Sequence, residues 1–325
     1  MNVQRVGLAR VATVIALILL MAVAAVPQAQ KSSTGSNWTA PKTPWGHPDL
    51  QGIYSNSTIV PLERPDDMKG KAELTDAEVA ARLQKYKDTL WGKREGDTGF
   101  YNDFWWEWGK DVKRTSLIVD PPDGKLPFTQ KALERSKVVN KLADSPSTYT
   151  DMNIFDRCIS RSMPGAMIPG FYNHFYQILQ TPDYVALFIE LVHDVRIIPL
   201  TNRPHIGQSI RQWLGDSRGH WEGDTLVVET TNLNDKVRGH GATFFGVGDD
   251  LRMVERFRRA SPDMIDYQFT VTAPSEFTKQ WTAAIPLWKS GERIFEYACH
   301  EGNYAMSNSL SGARAGEANQ AAKKR

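Results

Sequence analysis

The alternation of apolar and polar residues changes character near the middle of the chain. From about residue 175 onwards, short runs rich in β-branched and aromatic residues alternate with turn residues, and no helical period intervenes. The runs cover residues 176–180, 184–192, 196–200, 225–231, 251–258, 264–272, 281–288 and 294–299. Pro182 and Pro262 mark hairpin turns between neighbouring runs. The pattern predicts a mainly β protein whose antiparallel meander forms a barrel or a sandwich.

The first half of the chain lacks this alternation. Residues 31–70 are rich in proline and small polar residues, which is typical of an extended arm laid over a domain surface. Thr75 and Glu78 form a capping box before an apolar stripe, and Thr129 is placed to cap a second helix. We therefore expect an arm with two short helices at 26–145, the β-barrel domain at 146–312 and a disordered tail at 313–325.

The N-terminus has the pattern of a secretory signal. Arg5 and Arg10 lead into an uncharged, mostly apolar run over residues 11–26, and the small residues at 22–25 suit a signal peptidase. The run is shorter than the roughly 20 residues that span a bilayer. We predict that residues 1–25 are a signal peptide, that the mature protein is periplasmic or secreted, and that it keeps no stable membrane span. An uncleaved anchor is the alternative.

Composition narrows the choice of partners. The net charge of +2 is too small to favour nucleic acid. Ten Trp, 10 Tyr and 13 Phe favour large buried surfaces or a flat ligand, so we expect a small-molecule partner that is partly apolar or aromatic. A P-loop, a GxGxxG turn after a strand and a GxSxG elbow are all missing from the sequence. We expect no cofactor.

The chain has two cysteines, Cys158 and Cys299. Two thiols in one exported chain are often paired, because the compartment is oxidising. We expect a disulfide between them, with two buried thiols packed as small hydrophobic groups as the alternative. A disulfide would also bring four charged or titratable residues together as a cationic, acid–base patch: Arg157, Arg161, His300 and Glu301. A plug pinned over one end of the barrel is the structural alternative for the same residues.

Two acidic residues occupy positions where the alternation calls for apolar side chains. Glu190 interrupts an apolar run, and Glu255 shares the inward face of its run with Met253 and Phe257. A buried carboxylate must be paired, hydrogen-bonded or protonated, and burial raises its pKa towards the range that suits proton transfer. A structural ion pair with arginine produces the same pattern, so both roles stay open.

Histidine and arginine follow the first of these carboxylates. His193 comes three residues after Glu190, and Arg196 shares a face with Glu190 if the strand runs straight through. The candidates for catalysis are therefore Glu190, His193, Glu255, His300, Arg157 and Arg196.

Several longer motifs resemble an uncharacterised family of exported bacterial β-rich proteins. They are WTAP at 38–41, DLQG at 49–52, RTSLIVDPPDG at 114–124, DRC at 156–158, QWLGDS at 212–217, WEGDTLV at 221–227 and YACHEG at 297–302. The resemblance spans nearly all of the mature chain and implies export, without implying a reaction. The predicted topology is also similar to lipocalin-like barrels, some of which bind apolar ligands and some of which catalyse hydration or isomerisation without a cofactor.

These observations favour an exported enzyme that carries out cofactor-independent acid–base chemistry on a small organic molecule, as a lyase, hydratase or isomerase. The alternative is a non-catalytic ligand-binding or envelope-interaction protein, with the aromatic residues of 100–108 as its contact surface. A third hypothesis is a metal-dependent hydrolase, in which His193, His205 and His220 would converge with Glu190. The glycine-rich residues 239–248 read as a flexible loop that could act as a lid.

Overall fold

The computed structural model describes residues 38–91, 107, 109–110, 112–170, 172–236 and 250–323. The predicted signal peptide, the glycine-rich loop at 239–248 and most of the aromatic stretch at 100–108 lie outside the described residues. Ten strands form one antiparallel sheet that curls into a nearly closed barrel, so the prediction of a mainly β barrel is confirmed.

The strands follow the predicted runs closely. In chain order they are β1 (Gly52–Ser55), β2 (Ile118–Asp120), β3 (Phe175–Gln180), β4 (Tyr184–Ile189), β5 (Val195–Pro199), β6 (Asp216–Glu222), β7 (Thr225–Thr231), β8 (Arg252–Ser261), β9 (Met264–Thr272) and β10 (Trp281–Lys289). Their order across the sheet is β5-β4-β3-β1-β10-β9-β8-β7-β6, and β2 pairs with β10 in addition. Two meanders, β3–β5 and β6–β10, are thus joined through β1.

The barrel closes where β5 approaches β6. A parallel bridge links Leu200 to Gly219, and the amide of Thr201 donates to the carbonyl of Gly219 at 3.1 Å. A Cβ atom at Gly219 would meet the side chains of Ile198 and Leu200 at 3.0 Å. Glycine at this position therefore allows the close approach of the two edge strands.

The predicted arm contributes more than a surface covering. Residues 52–55 form β1, which pairs with β3 on one side and with β10 on the other. The pairing joins residues more than 100 positions apart. A run of four residues shows too little alternation for the sequence to predict a strand there. The barrel therefore extends beyond residues 146–312.

Both predicted helices are present, and their caps have the expected hydrogen bonds. Helix α1 (Asp76–Trp91) begins at the capping box, where the amide of Thr75 donates to the Glu78 carboxylate at 2.9 Å. Helix α2 (Gln130–Asp144) begins at Thr129, whose hydroxyl accepts the amide of Ala132 at 3.1 Å.

A third helix, α3 (Ala305–Lys323), includes most of the residues that we expected to form a disordered tail. Arg314 anchors it, because its guanidinium donates to the carbonyls of Pro146 and Ser147 at 3.2 and 3.1 Å. This contact joins residues 167 positions apart, so the local composition does not predict it. Within the described residues, no helix is both long and apolar enough to cross a membrane.

Two other segments differ from the prediction. Residues 294–299, which we expected to form the last strand, have no strand pairing. Residues 216–222, which are not among the predicted strand runs, form β6 and pair with β7 along its whole length. Polar side chains on the outward face of β6 hide its alternation, whereas the apolar residues at 294–299 contact the end of the barrel without joining the sheet.

Side chains fill the interior of the barrel. A chain of aromatic contacts runs from Phe257 through Tyr267 and Phe269 to Trp281, with centroid separations of 4.6, 5.9 and 5.5 Å. Tyr267, Phe269 and Trp281 are each at most 1% exposed. Aromatic contacts of this kind stabilise a core beyond the area that they bury.

Candidate functional site

One end of the barrel is closed by a buried segment of chain. Strands β1, β4 and β10 finish at this end, which we call the capped end, and β3 begins there. Residues 160–168, which we call the plug, are all buried. The plug closes the interior at the end of the barrel where Glu190 and His193 lie.

The plug is held by its backbone. Three successive carbonyl groups, those of residues 166–168, accept hydrogen bonds from buried side chains. The donors are, in order, the Tyr176 hydroxyl at 3.0 Å, the Asn56 amide at 2.9 Å and the Arg161 guanidinium at 3.2 Å. Burial raises the pKa of Tyr176 and lowers that of Arg161. The three side chains satisfy polar backbone that would otherwise be costly to bury.

A glutamate and a histidine that the sequence analysis missed lie beside the plug. Nδ1 of His174 is 3.1 Å from Oε2 of Glu107, although the ring is not aimed straight at that oxygen. Glu107 also accepts the amides of Asn173 and His174, at 2.6 and 3.0 Å. Burial alone would raise the pKa of Glu107, but these contacts outweigh it and lower the pKa. The two residues are 67 positions apart, so no local motif could have paired them.

His174 has a defined protonation pattern. Its Nε2 accepts the amide of Gly170 at 2.8 Å, so this nitrogen carries no hydrogen, and the neutral ring is protonated at Nδ1, towards Glu107. Nε2 is therefore hydrogen-bonded, and Nδ1 lies close to the Glu107 carboxylate without an aligned hydrogen bond. His174 and Glu107 act as a structural tie between the plug and β3.

Glu190 lies at the capped end and not within a strand. Strand β4 ends at Ile189, and a short 3-10 turn follows Glu190, so Glu190 and Arg196 do not share one straight strand as we expected. The Glu190 side chain is buried and accepts the amide of Phe295 at 3.0 Å. Burial raises the pKa of Glu190, against the effect of that hydrogen bond, and the nearby charge of Glu107 raises it further.

His193 lies in the same turn, on the solvent side. The ring is exposed, and its Nδ1 is 3.0 Å from the carbonyl oxygen of Tyr297. Because a carbonyl only accepts hydrogen bonds, this contact selects the ring form with the hydrogen on Nδ1. In the neutral ring Nε2 then keeps its lone pair. Glu190 and His193 thus both contact the segment 295–297.

Cys158 and Cys299 form the disulfide that the sequence predicted. It joins the start of the plug to the segment after β10. Arg157 and His300 each follow or precede a bridged cysteine, so the disulfide brings these parts of the chain close together. The Arg157 guanidinium lies over the ring of Tyr149, 5.3 Å from its centroid, and His300 is exposed.

Strained backbone is concentrated at the capped end. Six non-glycine residues in the described chain have positive φ angles. One of them lies in the plug, two lie within five residues of its ends, and two lie in the turn after Glu190. These five are Cys158, Ser162, Asn173, Val192 and His193. Val192 is the most unfavourable, because its branched side chain disfavours the observed φ of 65°. Strained backbone conformations of this kind are often found at active sites and ligand-binding sites.

A cavity of ≈340 Å³ opens beside the disulfide, and we call it the disulfide pocket. It is lined by Phe155, Asp156, Tyr297, Ala298, Cys299, Asn303 and Ala305. The ring centroids of Phe155 and Tyr297 are 6.4 Å apart, with the rings tilted by 38°, and the Tyr297 carbonyl is the group that orients His193. The volume lies in the range of small-molecule sites.

Glu255 and Arg196 lie elsewhere, in the filled interior. Oε1 and Oε2 of Glu255 accept hydrogen bonds from two nitrogens of Arg196 at 2.9 and 2.5 Å, and the Tyr267 hydroxyl donates to Oε1 at 3.0 Å. The hydroxyls of Ser217 and Thr230 each accept from Arg196 at 3.2 Å. The pair has the form of the structural ion pair that we left open as an alternative.

Comparisons of the chain with protein-family models, with curated proteins and with solved structures found no match. The function must therefore be inferred from the site itself. In the part of the chain that the structure describes, no three histidine, cysteine or acidic side chains are grouped as a metal site. The histidines at 193, 205 and 220 do not converge with Glu190 there.

Proposed function

We propose that the protein is an exported enzyme that moves protons on a small, partly apolar organic molecule without a cofactor. The reaction would be an isomerisation, hydration or elimination at the disulfide pocket, with His193 as the proton-transfer residue. The observation that carries this proposal is the contact between the exposed His193 imidazole and the carbonyl of Tyr297, a residue that lines the disulfide pocket. Arg196 and Glu255 would serve the fold and not the reaction.

The chemistry follows from the ring form of His193. Nε2 would take a proton from a carbon next to an electron-withdrawing group, and the electron pair of that C–H bond would move into the group. The resulting imidazolium would return the proton to another atom of the same molecule. A positioned histidine contributes about 10²–10⁴-fold to such a step.

The buried carboxyl groups around the turn support its geometry. The Glu190 carboxylate accepts a hydrogen bond from the amide of Phe295, and the Asp194 carboxylate accepts one from the hydroxyl of Ser160 at 2.8 Å. Burial raises the pKa of Asp194, against the effect of that hydrogen bond. The disulfide fixes the segment that carries Tyr297, and a disulfide is compatible with export.

The proposal can be tested with 5-nitrobenzisoxazole, a flat apolar compound whose ring opens when a general base removes one proton. We expect the purified mature protein to accelerate the opening over buffer. His193→Ala should lower the rate by about 10²-fold or more. His220→Gln is the matched control, because His220 is an exposed histidine on β6 that contacts Glu222 at 3.2 Å.

An unchanged rate in His193→Ala, or an equal loss in His220→Gln, would contradict the role of His193. Circular dichroism would establish that both variants are folded. Reduction of the disulfide should lower the rate as well, since it frees the segment that orients the ring.

A second candidate is a non-catalytic envelope protein that pairs with a second copy of itself. The outward face of β3, β4 and β5 carries nine residues without a single charge. Four large side chains on it are about half exposed: Leu179, Tyr184, Val195 and Ile197. Exposed apolar patches of this kind mark contact surfaces. A second copy fits better than a lipid surface, because two uncharged faces do not repel each other and the patch offers no basic residue to anionic lipid.

Light scattering after gel filtration tests this candidate. We expect a dimer for the wild type and a monomer for Ile197→Glu, which places a charge in the patch. Val138→Glu is the control, since Val138 is a similarly exposed aliphatic residue on α2. A monomeric wild type at high protein concentration would rule the candidate out and would leave the enzymatic proposal intact.

A further inference from the structure

A second cavity at the capped end shares no lining residue with the disulfide pocket. Its volume is ≈230 Å³, and it lies where β1 and β10 end and β3 begins. It is lined by Ser55, Ser57, Glu107, Gly109, Lys110, Phe175, Trp288, Lys289 and Ser290. At ~30 Å³ for each water molecule, it has room for roughly seven waters, or for one small substituted ring.

The cavity carries excess positive charge. In the part of the chain that the structure describes, neither Lys110 nor Lys289 has a carboxylate within 4.0 Å. Glu107 is the one acidic residue in the lining, and its carboxylate is already taken by the amides of Asn173 and His174 and by the His174 ring. Two lysines and one carboxylate that is already hydrogen-bonded thus line the cavity, which favours an anionic ligand.

The walls of the cavity are aromatic. Phe175 and Trp288 are both partly exposed, and Nζ of Lys110 lies 4.5 Å from the centroid of the Trp288 ring. The indole N–H of Trp288 is buried and has no acceptor among the described residues. Because this N–H is buried, Trp288 offers the cavity its exposed ring surface and not its donor.

We propose that this cavity binds a small aromatic carboxylate. Its ring would lie against Trp288 and Phe175, and its carboxylate would sit between Lys110 and Lys289. The two lysines supply charge, and the aromatic walls select a flat ring over a compact inorganic anion. The proposal does not depend on His193, because the cavity and the disulfide pocket have separate linings.

Isothermal titration calorimetry of the full mature protein with benzoate tests the proposal. Benzamide has the same shape without the charge, and inorganic phosphate has the charge without the ring. Loss of a charged hydrogen bond weakens binding by about tenfold, so we expect benzamide to bind at least that much more weakly than benzoate. Phosphate should also bind more weakly than benzoate, because it buries no ring against Trp288 and Phe175. Raising the salt concentration should weaken benzoate binding, because exposed charges are screened.

Variants locate the site. Lys110→Gln and Lys289→Gln should each weaken benzoate binding by about tenfold, since each removes one charged contact. Lys131→Gln, which changes an exposed lysine on α2, is the control and should bind benzoate as the wild type does. All three should open 5-nitrobenzisoxazole at the wild-type rate, which separates this site from the proposed function.

Four results would overturn the proposal. They are no heat with benzoate at millimolar concentration, equal binding of benzoate and benzamide, phosphate binding as tight as benzoate, and an equal loss in the Lys131→Gln control. Any of them would leave the role of His193 unaffected.

Discussion

Arg196 and Glu255 face each other inside the barrel as a two-pronged pair that joins β5 to β8, across the seam where the barrel closes. Both side chains are at most 3% exposed. Burial would lower the pKa of Arg196, but the carboxylate of Glu255 outweighs it and the pKa is raised. Such a pair stabilises the fold mainly because either charge alone would be costly to bury.

Replacing Glu255 by glutamine should therefore lower the free energy of unfolding by about 3–5 kcal/mol, because it leaves the Arg196 charge buried and unpaired. Urea denaturation measures the loss. Glu222→Gln is the control, since Glu222 and Arg256 form a half-exposed pair whose removal costs at most about 1 kcal/mol. A Glu255→Gln variant with wild-type stability and no turnover would instead assign Glu255 to catalysis.

Glu190 should make the stability depend on pH. Because burial raises its pKa in the folded protein above the unfolded value near 4.5, the folded state holds the proton more tightly. This contribution is fully present below 4.5 and is lost as the pH rises through the folded pKa.

Glu190→Gln removes this titration and keeps an oxygen for the Phe295 amide. The wild type should therefore lose stability relative to the variant as the pH increases above 4.5. Urea denaturation of both proteins over a pH series measures the difference. A difference that stays constant with pH would contradict the raised pKa.

Removing the disulfide should destabilise the protein strongly. The bond closes a loop with a sequence separation of 141 residues, for which chain-entropy arguments give about 4–5 kcal/mol. A Cys158→Ser, Cys299→Ser double variant should unfold at a correspondingly lower urea concentration. Limited proteolysis should then cut at residues 293–300 before the barrel unfolds. Equal midpoints for the variant and the oxidised wild type would show that other contacts hold this segment.

The plug should be sensitive to the loss of a single hydroxyl. Tyr176→Phe removes the donor to the buried carbonyl of Ala166 and should cost about 1–3 kcal/mol, because that carbonyl is left without a partner. Tyr184→Phe is the matched control, since Tyr184 is 48% exposed and its hydroxyl can bind water. Equal denaturation midpoints for the two variants would mean that the carbonyl finds another donor.

The sequence predicted those features that depend on neighbouring residues. The caps at Thr75 and Thr129 were predicted because a helix start is a local hydrogen-bonding problem. The strands β7 and β9 were predicted to the residue, since a period of two reports directly which side chains are buried. The same alternation indicated that Glu255 faces inward.

The partner of each group, in contrast, was decided by the tertiary structure. The local sequence pattern of a strand does not show which strand it pairs with or in which register. The place of β1 between β3 and β10 therefore depends on contacts between distant parts of the chain. The same holds for the meeting of Glu107 with His174 and of Arg196 with Glu255. A sequence shows that a charge is buried; only packing shows which opposite charge or amide makes that burial tolerable.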